Sequence, residues 1–366
     1  MICISALSAC SGNLGPRTHE ELTPLDLPNI QRLTEYSKLA PSTSSELIDS
    51  LITYVEPDHH SAQAVTAIDG KMYVSNLDGA SGRKLDTSYP CYAGAVSPDG
   101  KWLACPNETD LSFTHDELQV TSLKPGEWFP THIVHLGFEG DASSPAWSPN
   151  GHLLAIVHDE TFNSLGCAIS VFSGSSPYRA FTHVAELSVP GLDHLACPIK
   201  SLRWSPDGVW LAVAAWGVKL IPIRDVLRDA SGEGGSPASI FVPDSALVSL
   251  TEPQDVSSFA PAWNLRTHLI SYLTTPRFDS QRGVWGSQRI MAYNPTTKQR
   301  TVLLTLPLAD ADPDSSFEYI EHMSALAWSP DGQRLLFVVD EAVNCVDCPL
   351  TYPSQVYTFT PAPISE

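Results

Sequence analysis

A five-residue sequence ending in glycine recurs along the chain and constrains its fold more than any other feature. Trp-Ser-Pro-Asp-Gly occurs intact at residues 204–208 and 328–332, and with asparagine in place of aspartate at residues 147–151. Residues 96–100 lack the tryptophan, and residues 263–267 keep only the tryptophan. The second residues of consecutive copies lie 51, 57, 59 and 65 residues apart. A unit copied at such intervals indicates a repeat architecture.

Each complete turn predicts a hairpin of two antiparallel strands. Proline sets the backbone of the first central residue, and glycine accepts the left-handed conformation that closes the turn. These positions hold Pro98, Pro149, Pro206, Pro330, Gly100, Gly151, Gly208 and Gly332. The run after each glycine is almost continuously apolar, as in a strand that is buried on both faces. An isolated hairpin is only marginally stable in water, so the units must pack against one another.

The residues before each turn predict sheets that radiate from a crowded centre. The position four residues before the turn serine, or before its replacement Asn264, is always small: Ala93, Ser144, Ser201, Ala260 and Ala325. The tryptophan is large enough to fill the space between adjacent sheets. A closed ring of such sheets exposes only short edges. We therefore predict an all-β fold, a β-propeller of four-stranded antiparallel blades, with six blades favoured and five or seven still open.

Segments outside the five copies bear on the number of blades. Residues 64–85 resemble the outer half of a blade that precedes the first copy. The last blade contains residues 323–339 and 355–359, and a strand from the N-terminal region could complete it. Similar outer strands are expected at residues 117–122, 169–172, 240–242 and 289–293.

The repeat resembles the TolB-type, WD40-like propeller repeat over roughly residues 60–360. The residues that carry this resemblance are the four Ser-Pro-Asp/Asn-Gly turns and the apolar runs after them. That repeat is found in the periplasmic TolB family and in the non-catalytic propellers of prolyl-oligopeptidase-like enzymes. The resemblance implies a fold, whereas function depends on the site that the fold carries. The chain ends at Glu366 directly after the last blade and contains no Gly-x-Ser-x-Gly, so we expect no α/β-hydrolase domain.

The N-terminal residues 1–10 resemble a signal segment with a bacterial lipobox. A short apolar stretch ends in Leu-Ser-Ala-Cys at residues 7–10, although no Lys or Arg precedes it. The resemblance implies that Cys10 is lipidated and anchors the protein to a membrane, and the alternative is a chance match. Residues 11–48 are rich in Ser, Thr and Pro and predict a flexible tether. The propeller is then expected over residues 49–366.

Six further cysteines are candidates for disulfide bonds. An even number outside the cytoplasm permits three bridges. We expect the pairs Cys91–Cys105 across one hairpin turn, Cys167–Cys197 between a strand and the next blade, and Cys345–Cys348 within a loop. The alternative is free thiols packed as small apolar groups. Zinc at the last pair is disfavoured because the chain has no second Cys-x-x-Cys.

An acidic stretch near the end of the chain is the one candidate metal site. Its carboxylates have the spacing of an EF-hand-type calcium loop: Asp310, Asp312, Asp314, Glu318 and Glu321. Serine replaces the turn glycine at position 315. A solvated acidic loop is the alternative, and no other cofactor is expected.

Charge and the lack of a catalytic motif favour a binding protein. The net charge of −20 argues against nucleic acid as a partner. The twelve histidines do not fall in one repeat column. We therefore expect a non-enzymatic extracytoplasmic propeller that binds a protein or peptide through loops on one face, first among them residues 224–239 and 310–321. The alternative is a hydrolase or lyase that acts on a sugar or lactone at the channel mouth. Three or more converging His, Asp or Glu residues would favour the enzyme.

Overall fold

Six sheets form a closed ring in the described part of the chain. The innermost strands contact one another in cyclic order, and the sixth contacts the first. No helix in this part of the chain has both the length and the hydropathy that a membrane span needs. The computed structural model describes residues 29–39, 48–55, 61–106, 117–124, 131–137, 142–159, 167–190, 199–229, 237–252, 255–276, 278–279, 284–285, 287–306, 318–344 and 354–362.

Each of blades 1 to 3 begins at the centre of the ring and adds antiparallel strands outward. Blade 1 comprises Ile48–Val55, Ala62–Ile68, Lys71–Asn76 and Arg83–Lys84. Blade 2 comprises Ala95–Val96, Trp102–Pro106, Glu117–Ser122 and Thr131–His135. Blade 3 comprises Ala142–Trp147, Leu153–Asp159, Cys167–Gly174 and Phe181–Ser188.

Blades 4 to 6 follow the same order, and blade 6 is completed from the other end of the chain. Blade 4 comprises Ser201–Trp204, Leu211–Ala214, Val218–Ile221 and Val248–Ser249. Blade 5 comprises Asp255–Trp263, Ile270–Pro276, Arg289–Tyr293 and Arg300–Thr305. Blade 6 comprises Glu318–Trp328, Leu335–Asn344, Ser354–Phe359 and Ile30–Arg32. The predicted six-bladed, all-β propeller is confirmed.

The strand Ile30–Arg32 closes the ring. It pairs antiparallel with Ser354–Phe359, with Ile30 opposite Phe359, and the 3₁₀ helix Thr34–Lys38 follows it. Tyr36 of this helix is buried and donates its hydroxyl to Leu77 O of blade 1 at 3.1 Å. Residues 29–39 are therefore part of the propeller, although the sequence assigned them to the tether of residues 11–48. Residues 1–28 and 40–47, which include Cys10, lie outside the described residues.

One insertion departs from the repeat. The helix Ile223–Asp229 follows the third strand of blade 4. The strand Ala238–Phe241 then joins blade 3, parallel to Phe181–Ser188, as its fifth strand. The sequence predicted an ordinary outer strand at residues 240–242, whereas this strand belongs to a neighbouring blade and has the opposite sense of pairing. Further short elements are the 3₁₀ helix Asp244–Ala246 and the paired strands Phe278–Asp279 and Val284–Trp285.

The repeated tryptophans join adjacent blades by hydrogen bonds as well as by packing. Each indole Nε1 donates to the innermost or second strand of the preceding blade. The four bonds are Trp147 to Ala95 O at 3.1 Å, Trp204 to Ala146 O at 3.0 Å, Trp263 to Arg203 O at 3.2 Å, and Trp328 to Ser271 Oγ at 3.1 Å. Thr53 of blade 1, which has no tryptophan at this place, donates its hydroxyl to Trp328 O. The indole satisfies its own polar group while it fills the gap between two sheets.

The turn motif stabilises its own hairpin through side-chain hydrogen bonds. In blade 4, Ser205 Oγ donates to Asp207 Oδ1 at 2.6 Å, and that carboxylate accepts the Val209 N–H at 3.0 Å. Gly208 has φ +68°, which is the left-handed conformation that the turn requires. The copy in blade 5 differs because Asn264 replaces the serine. Its Nδ2 donates to Gly332 O of the adjacent turn at 2.9 Å.

A disulfide bond links Cys91, between blades 1 and 2, to Cys105 in the second strand of blade 2. The Cα atoms lie 5.8 Å apart, and both side chains are fully buried. Cys167 is also disulfide-bonded. The other three candidates, Cys197, Cys345 and Cys348, lie outside the described residues.

Candidate binding site in the central channel

The direction of the strands divides the ring into two faces. The turns at Gly100, Gly151, Gly208 and Gly332 define one face, called here the motif face. The connections between blades, and those between second and third strands, lie on the opposite face, called the mouth face. This division follows from the antiparallel order, because each strand ends where the next begins.

The two insertions that the sequence proposed as binding loops leave from opposite faces. The helix Ile223–Asp229 lies on the motif face, where Arg224 N donates to Val209 O at 3.3 Å. Residues 307–317 instead join Leu306 to Glu318, and both of these ends lie on the mouth face. Part of the first insertion serves as the extra strand of blade 3.

A cavity of about 300 Å³ lies on the axis of the ring. All six blades contribute to it through their innermost strands or the residues just before them. Its lining consists of Leu51, Ala93, Gly94, Ser144, Pro145, Lys200, Ser201, Arg203, Phe259, Ala260, Pro261, Ser324, Ala325 and Leu326. The whole column of small residues that the sequence placed at a crowded centre is present in this lining.

Irregular backbone shapes the cavity wall. The pairing register shifts between Ser143 and Ala146 in blade 3, and between Phe259 and Ala262 in blade 5. Within these shifts Ser144 has φ 49° and Ala260 has φ 48°, values that non-glycine residues seldom adopt. A bulge of this kind turns side chains away from the regular alternation of a strand. The innermost strands of blades 3 and 5 are thus bent where they line the cavity.

Arg203 is the one exception in a column of alanines. Two residues before the turn serine or its replacement, the other copies have Ala95, Ala146, Ala262 and Ala327, and all four are buried. The half-buried Arg203 donates from Nη1 to Leu202 O at 2.8 Å and has no ion pair with any residue that the structure describes. Desolvation by burial lowers the pKa of its guanidinium. The group nevertheless stays charged at neutral pH, because arginine titrates far above it.

Two hydroxyl groups in the lining lack a partner. Ser201 Oγ and Ser324 Oγ are buried and make no hydrogen bond within the described ranges. By contrast, Ser144 Oγ donates to Lys200 O at 2.9 Å. Buried polar atoms are usually paired, so two unpaired hydroxyls around one cavity indicate capacity for a ligand.

An exposed tryptophan lies on the mouth face of blade 4, the blade that contributes Lys200, Ser201 and Arg203 to the cavity. Trp216 is 69% exposed, in the short turn between Leu211–Ala214 and Val218–Ile221. The chain entering blade 4 meets this turn directly, because Lys200 N donates to Ala214 O at 2.7 Å. Tryptophan and arginine are the residue types most enriched at binding hot spots.

The turn that carries Trp216 is held in place by its neighbours. A Cβ atom at Gly217 would lie 2.1 Å from Thr251 Oγ1, so this position accepts only glycine without rearrangement. Thr251 Oγ1 and Ser258 Oγ are 2.6 Å apart, and Val218 N donates to Ser258 Oγ at 2.6 Å. The turn that carries Trp216 is therefore fixed to the innermost strand of blade 5, which favours a preformed surface.

None of the predicted metal ligands is among the described residues that line this cavity. Asp310, Asp312 and Asp314 lie outside them, and Glu318 and Glu321 are described only as backbone in the strand Glu318–Trp328. Within the described ranges no group of three or more His, Cys, Asp or Glu residues is arranged to hold a metal ion. Calcium binding at the acidic stretch stays a prediction.

A buried serine–histidine pair lies away from the cavity. Ser170 Oγ and His158 Nδ1 are 3.0 Å apart within blade 3, and both side chains are almost fully buried. Neither residue lines the channel. The pair is therefore part of the packing of blade 3, since its two buried groups hydrogen-bond to each other and lie away from the cavity.

Sequence reasoning missed the residues that distinguish this site. Lys200, Arg203 and Trp216 were not among the predicted site residues. The signal for Arg203 was nevertheless present, because a single arginine interrupts a column that is otherwise alanine. Trp216 carried no such signal, since exposure separates it from the repeat tryptophans only in the folded chain.

Comparison with known proteins gives one set of partial sequence matches and a set of solved structures of low identity. No protein-family model matches the chain. Dipeptidyl-peptidase 5 of Aspergillus fumigatus is 28% identical over 195 residues, which cover 45% of this chain and 25% of that protein. The chain thus spans about a quarter of the length of this curated relative.

Solved structures with a similar fold include TolB from Acinetobacter baumannii, with a TM-score of 0.46 and 13% identity over 84% of this chain and 62% of that chain. They also include a periplasmic gluconolactonase from Pseudomonas aeruginosa, with a TM-score of 0.46 and 17% identity over 83% of this chain and 80% of that chain. The chain is a six-bladed β-propeller, and TolB is among the solved propellers to which it is similar.

Proposed function

We propose that this protein is a non-enzymatic, extracytoplasmic propeller that binds a protein or peptide partner at the mouth face of its central channel. The observation that carries the proposal is the combination of an axial cavity with a fixed turn on the mouth face of blade 4 that exposes Trp216. A cavity of about 300 Å³ is at the lower end of ligand pockets. It suits one or two side chains of a partner, while the mouth face contacts the remainder.

The chemistry of the lining supports binding over catalysis. None of the described lining residues is His, Asp or Glu, so the side chains that most often transfer protons do not converge there. The hydrolase or lyase alternative would need such groups near the axis. Turnover of a lactone by the purified protein, lost on substitution of a channel residue, would favour that alternative.

The Cys91–Cys105 bridge supports the extracytoplasmic part of the proposal, because stable disulfides are typical of oxidising compartments. Lipidation of Cys10 is the finer part and rests on the lipobox resemblance. Metabolic labelling with a clickable fatty acid should mark the expressed full chain. The label should disappear in Cys10→Ser and persist in Cys3→Ser, and equal labelling of both variants would contradict the anchor.

Site-specific photo-crosslinking tests the binding face. A photoreactive amino acid in place of Trp216 should give a discrete adduct with a partner protein or peptide in cells. The matched control is the same group in place of Leu265, which is 54% exposed in a turn on the motif face. Adducts from position 265 and none from position 216 would contradict the proposal.

A further inference from the structure

We infer that the channel site recognises a carboxylate of the bound peptide through Arg203, with the Ser201 hydroxyl beside it. This inference rests on the proposed function and specifies the chemistry of the partner. The carboxylate can come from a free C-terminus or from an acidic side chain, and the experiment below separates these sources.

The charge of the cavity is opposite to that of the molecule. The chain carries a net charge of −20, yet among the described lining residues two are cationic, Lys200 and Arg203, and none is anionic. A concave site lined by charges of one sign focuses the electric field and concentrates ligands of the opposite sign. Charge complementarity therefore points to an acidic group on the partner.

The packing between blades does not require an arginine at position 203. Alanine serves at the same place in four other copies of the repeat, each within the packing between two blades. A guanidinium has five N–H donors, and here one donates to Leu202 O while no ion pair forms with the described residues. Burying a charge without a counter-ion costs free energy, and a bound carboxylate would provide the missing acceptor.

Ser201 and Arg203 can act on the same group. They are two residues apart in the regular strand Ser201–Trp204, so their side chains are on the same side of it. Ser201 Oγ is buried with no partner within the described chain, and a hydroxyl can donate to one carboxylate oxygen while the guanidinium binds the other.

The remaining wall favours an organic acid over an inorganic anion. Phe259 and Leu326 add apolar surface to the same cavity. An apolar side chain next to the carboxylate, as in a C-terminal leucine, would bury this surface. Inorganic phosphate would leave it in contact with water, so a peptide acid uses more of the cavity.

The test is calorimetric titration of the purified full chain with four probes. They are an acetylated pentapeptide ending in Leu with a free carboxylate, the same peptide amidated, an amidated version with an internal Glu, and sodium gluconate as a small acid. We expect the free-carboxylate or the Glu peptide to bind at least ~10-fold more tightly than the neutral amide, because hydrogen bonds to an ionised acceptor are roughly twice as strong as those between neutral groups.

Arg203→Ala should remove that preference, and Arg203→Lys should keep part of it. The matched control is Arg266→Ala, an exposed arginine on the motif face. Equal binding of acidic and amidated peptides, no binding of any probe, or an unchanged preference in Arg203→Ala would each overturn the inference. Binding of gluconate alone would overturn the peptide as the source of the carboxylate. Cross-linking at position 216 that survives Arg203→Ala would leave the mouth face as the binding face and reject only the carboxylate.

Discussion

The interface between blades 2 and 3 and the interface between blades 4 and 5 share one hydrogen bond, from a repeat tryptophan to the backbone of the preceding blade. They differ in the side chain of the residue that accepts it. In the first, Trp147 donates to Ala95 O, and its ring packs on Tyr178 with ring centroids 4.3 Å apart. In the second, Trp263 donates to the backbone of Arg203, whose side chain lines the channel. The hydrogen bond from the indole to the backbone carbonyl is retained, while arginine replaces alanine at the accepting residue.

The repeat and the candidate site therefore depend on different groups of the same residues. The repeat needs the indole hydrogen bond and the turn, and both persist where alanine is replaced by arginine. The packing between blades 2 and 3 consists of buried apolar groups around Trp147. The packing between blades 4 and 5 adds the polar contacts of Thr251 and Ser258, which fix the turn that carries Trp216. Function is therefore sought where one copy differs from the others.

The largest expected effect is at the interface that follows the repeat. Trp147→Ala should lower the free energy of unfolding by about 3–5 kcal/mol, because it removes a buried indole and leaves Ala95 O without its donor. Denaturant unfolding followed by circular dichroism measures this change. Trp216→Ala is the control and should change stability by less than ~0.5 kcal/mol, since its ring is exposed. Similar losses in both variants would contradict the assigned role of the repeat tryptophans.

The next largest change in the free energy of unfolding is expected on removal of the Cys91–Cys105 disulfide bond. Replacing Cys91 and Cys105 together by alanine should cost about 3 kcal/mol, because the bridge closes a loop with a sequence separation of 14 in the unfolded chain. Thermal unfolding of the double variant, compared with the parent under oxidising conditions, measures it. A variant as stable as the oxidised parent would show that the blade packing alone holds this interface.

The acid limb of stability should distinguish turns that contain aspartate from those that contain asparagine. Burial would raise the pKa of Asp207, but hydrogen bonds from Ser205 and Val209 and the nearby positive charges of His268 and Arg224 outweigh it, and the net pKa is lowered. A hydrogen bond from Ser329 chiefly lowers the pKa of Asp331. A carboxylate with a lowered pKa stabilises the fold above its unfolded pKa of about 3.9, and this contribution is lost as pH falls through the folded value.

Asp207→Asn with Asp331→Asn should therefore flatten the fall in stability between about pH 4 and pH 2. Asn150 already occupies this position in blade 3 and accepts the His152 N–H at 3.0 Å, so asparagine is compatible with the turn. Unfolding midpoints measured across this pH range give the comparison, with Asp225→Asn on the exposed helix as control. An unchanged acid limb in the double variant would refute the role of these turns.

Only a small change in stability is expected at Arg203. Arg203→Ala restores the residue that the other copies have, and it removes a charge that has no ion pair among the described residues. We expect a change of less than ~1 kcal/mol in the free energy of unfolding, in either direction. A loss as large as that of Trp147→Ala would mean that Arg203 holds the fold together, which would contradict its assignment to a binding site.

The sequence predicted the fold because the information is local. The Ser-Pro-Asp-Gly turn fixes a hairpin, and the hairpin needs neighbours, so the ring follows from repetition. The parallel strand Ala238–Phe241 was not predictable in this way, because its partner Phe181–Ser188 lies in another blade. The face from which each insertion leaves depends on strand direction, which only the assembled sheet reveals.

The site was less predictable for a related reason. A binding residue such as Arg203 is informative only when the copies are aligned by column and the deviation is noticed. The unpaired hydroxyls of Ser201 and Ser324 cannot be distinguished in the sequence from those of Ser144, which has a partner. Whether a hydroxyl is paired depends on the three-dimensional positions of strands from different blades.

Arg203, in one altered copy of the repeat, is assigned to binding and not to stability. The measurement that tests this claim most directly is the ratio of affinities for an acidic peptide and for its amide, in the parent and in Arg203→Ala. We predict a ratio of at least ~10 in the parent and close to 1 in the variant, which should remain folded. Equal ratios in the two folded proteins would contradict the account.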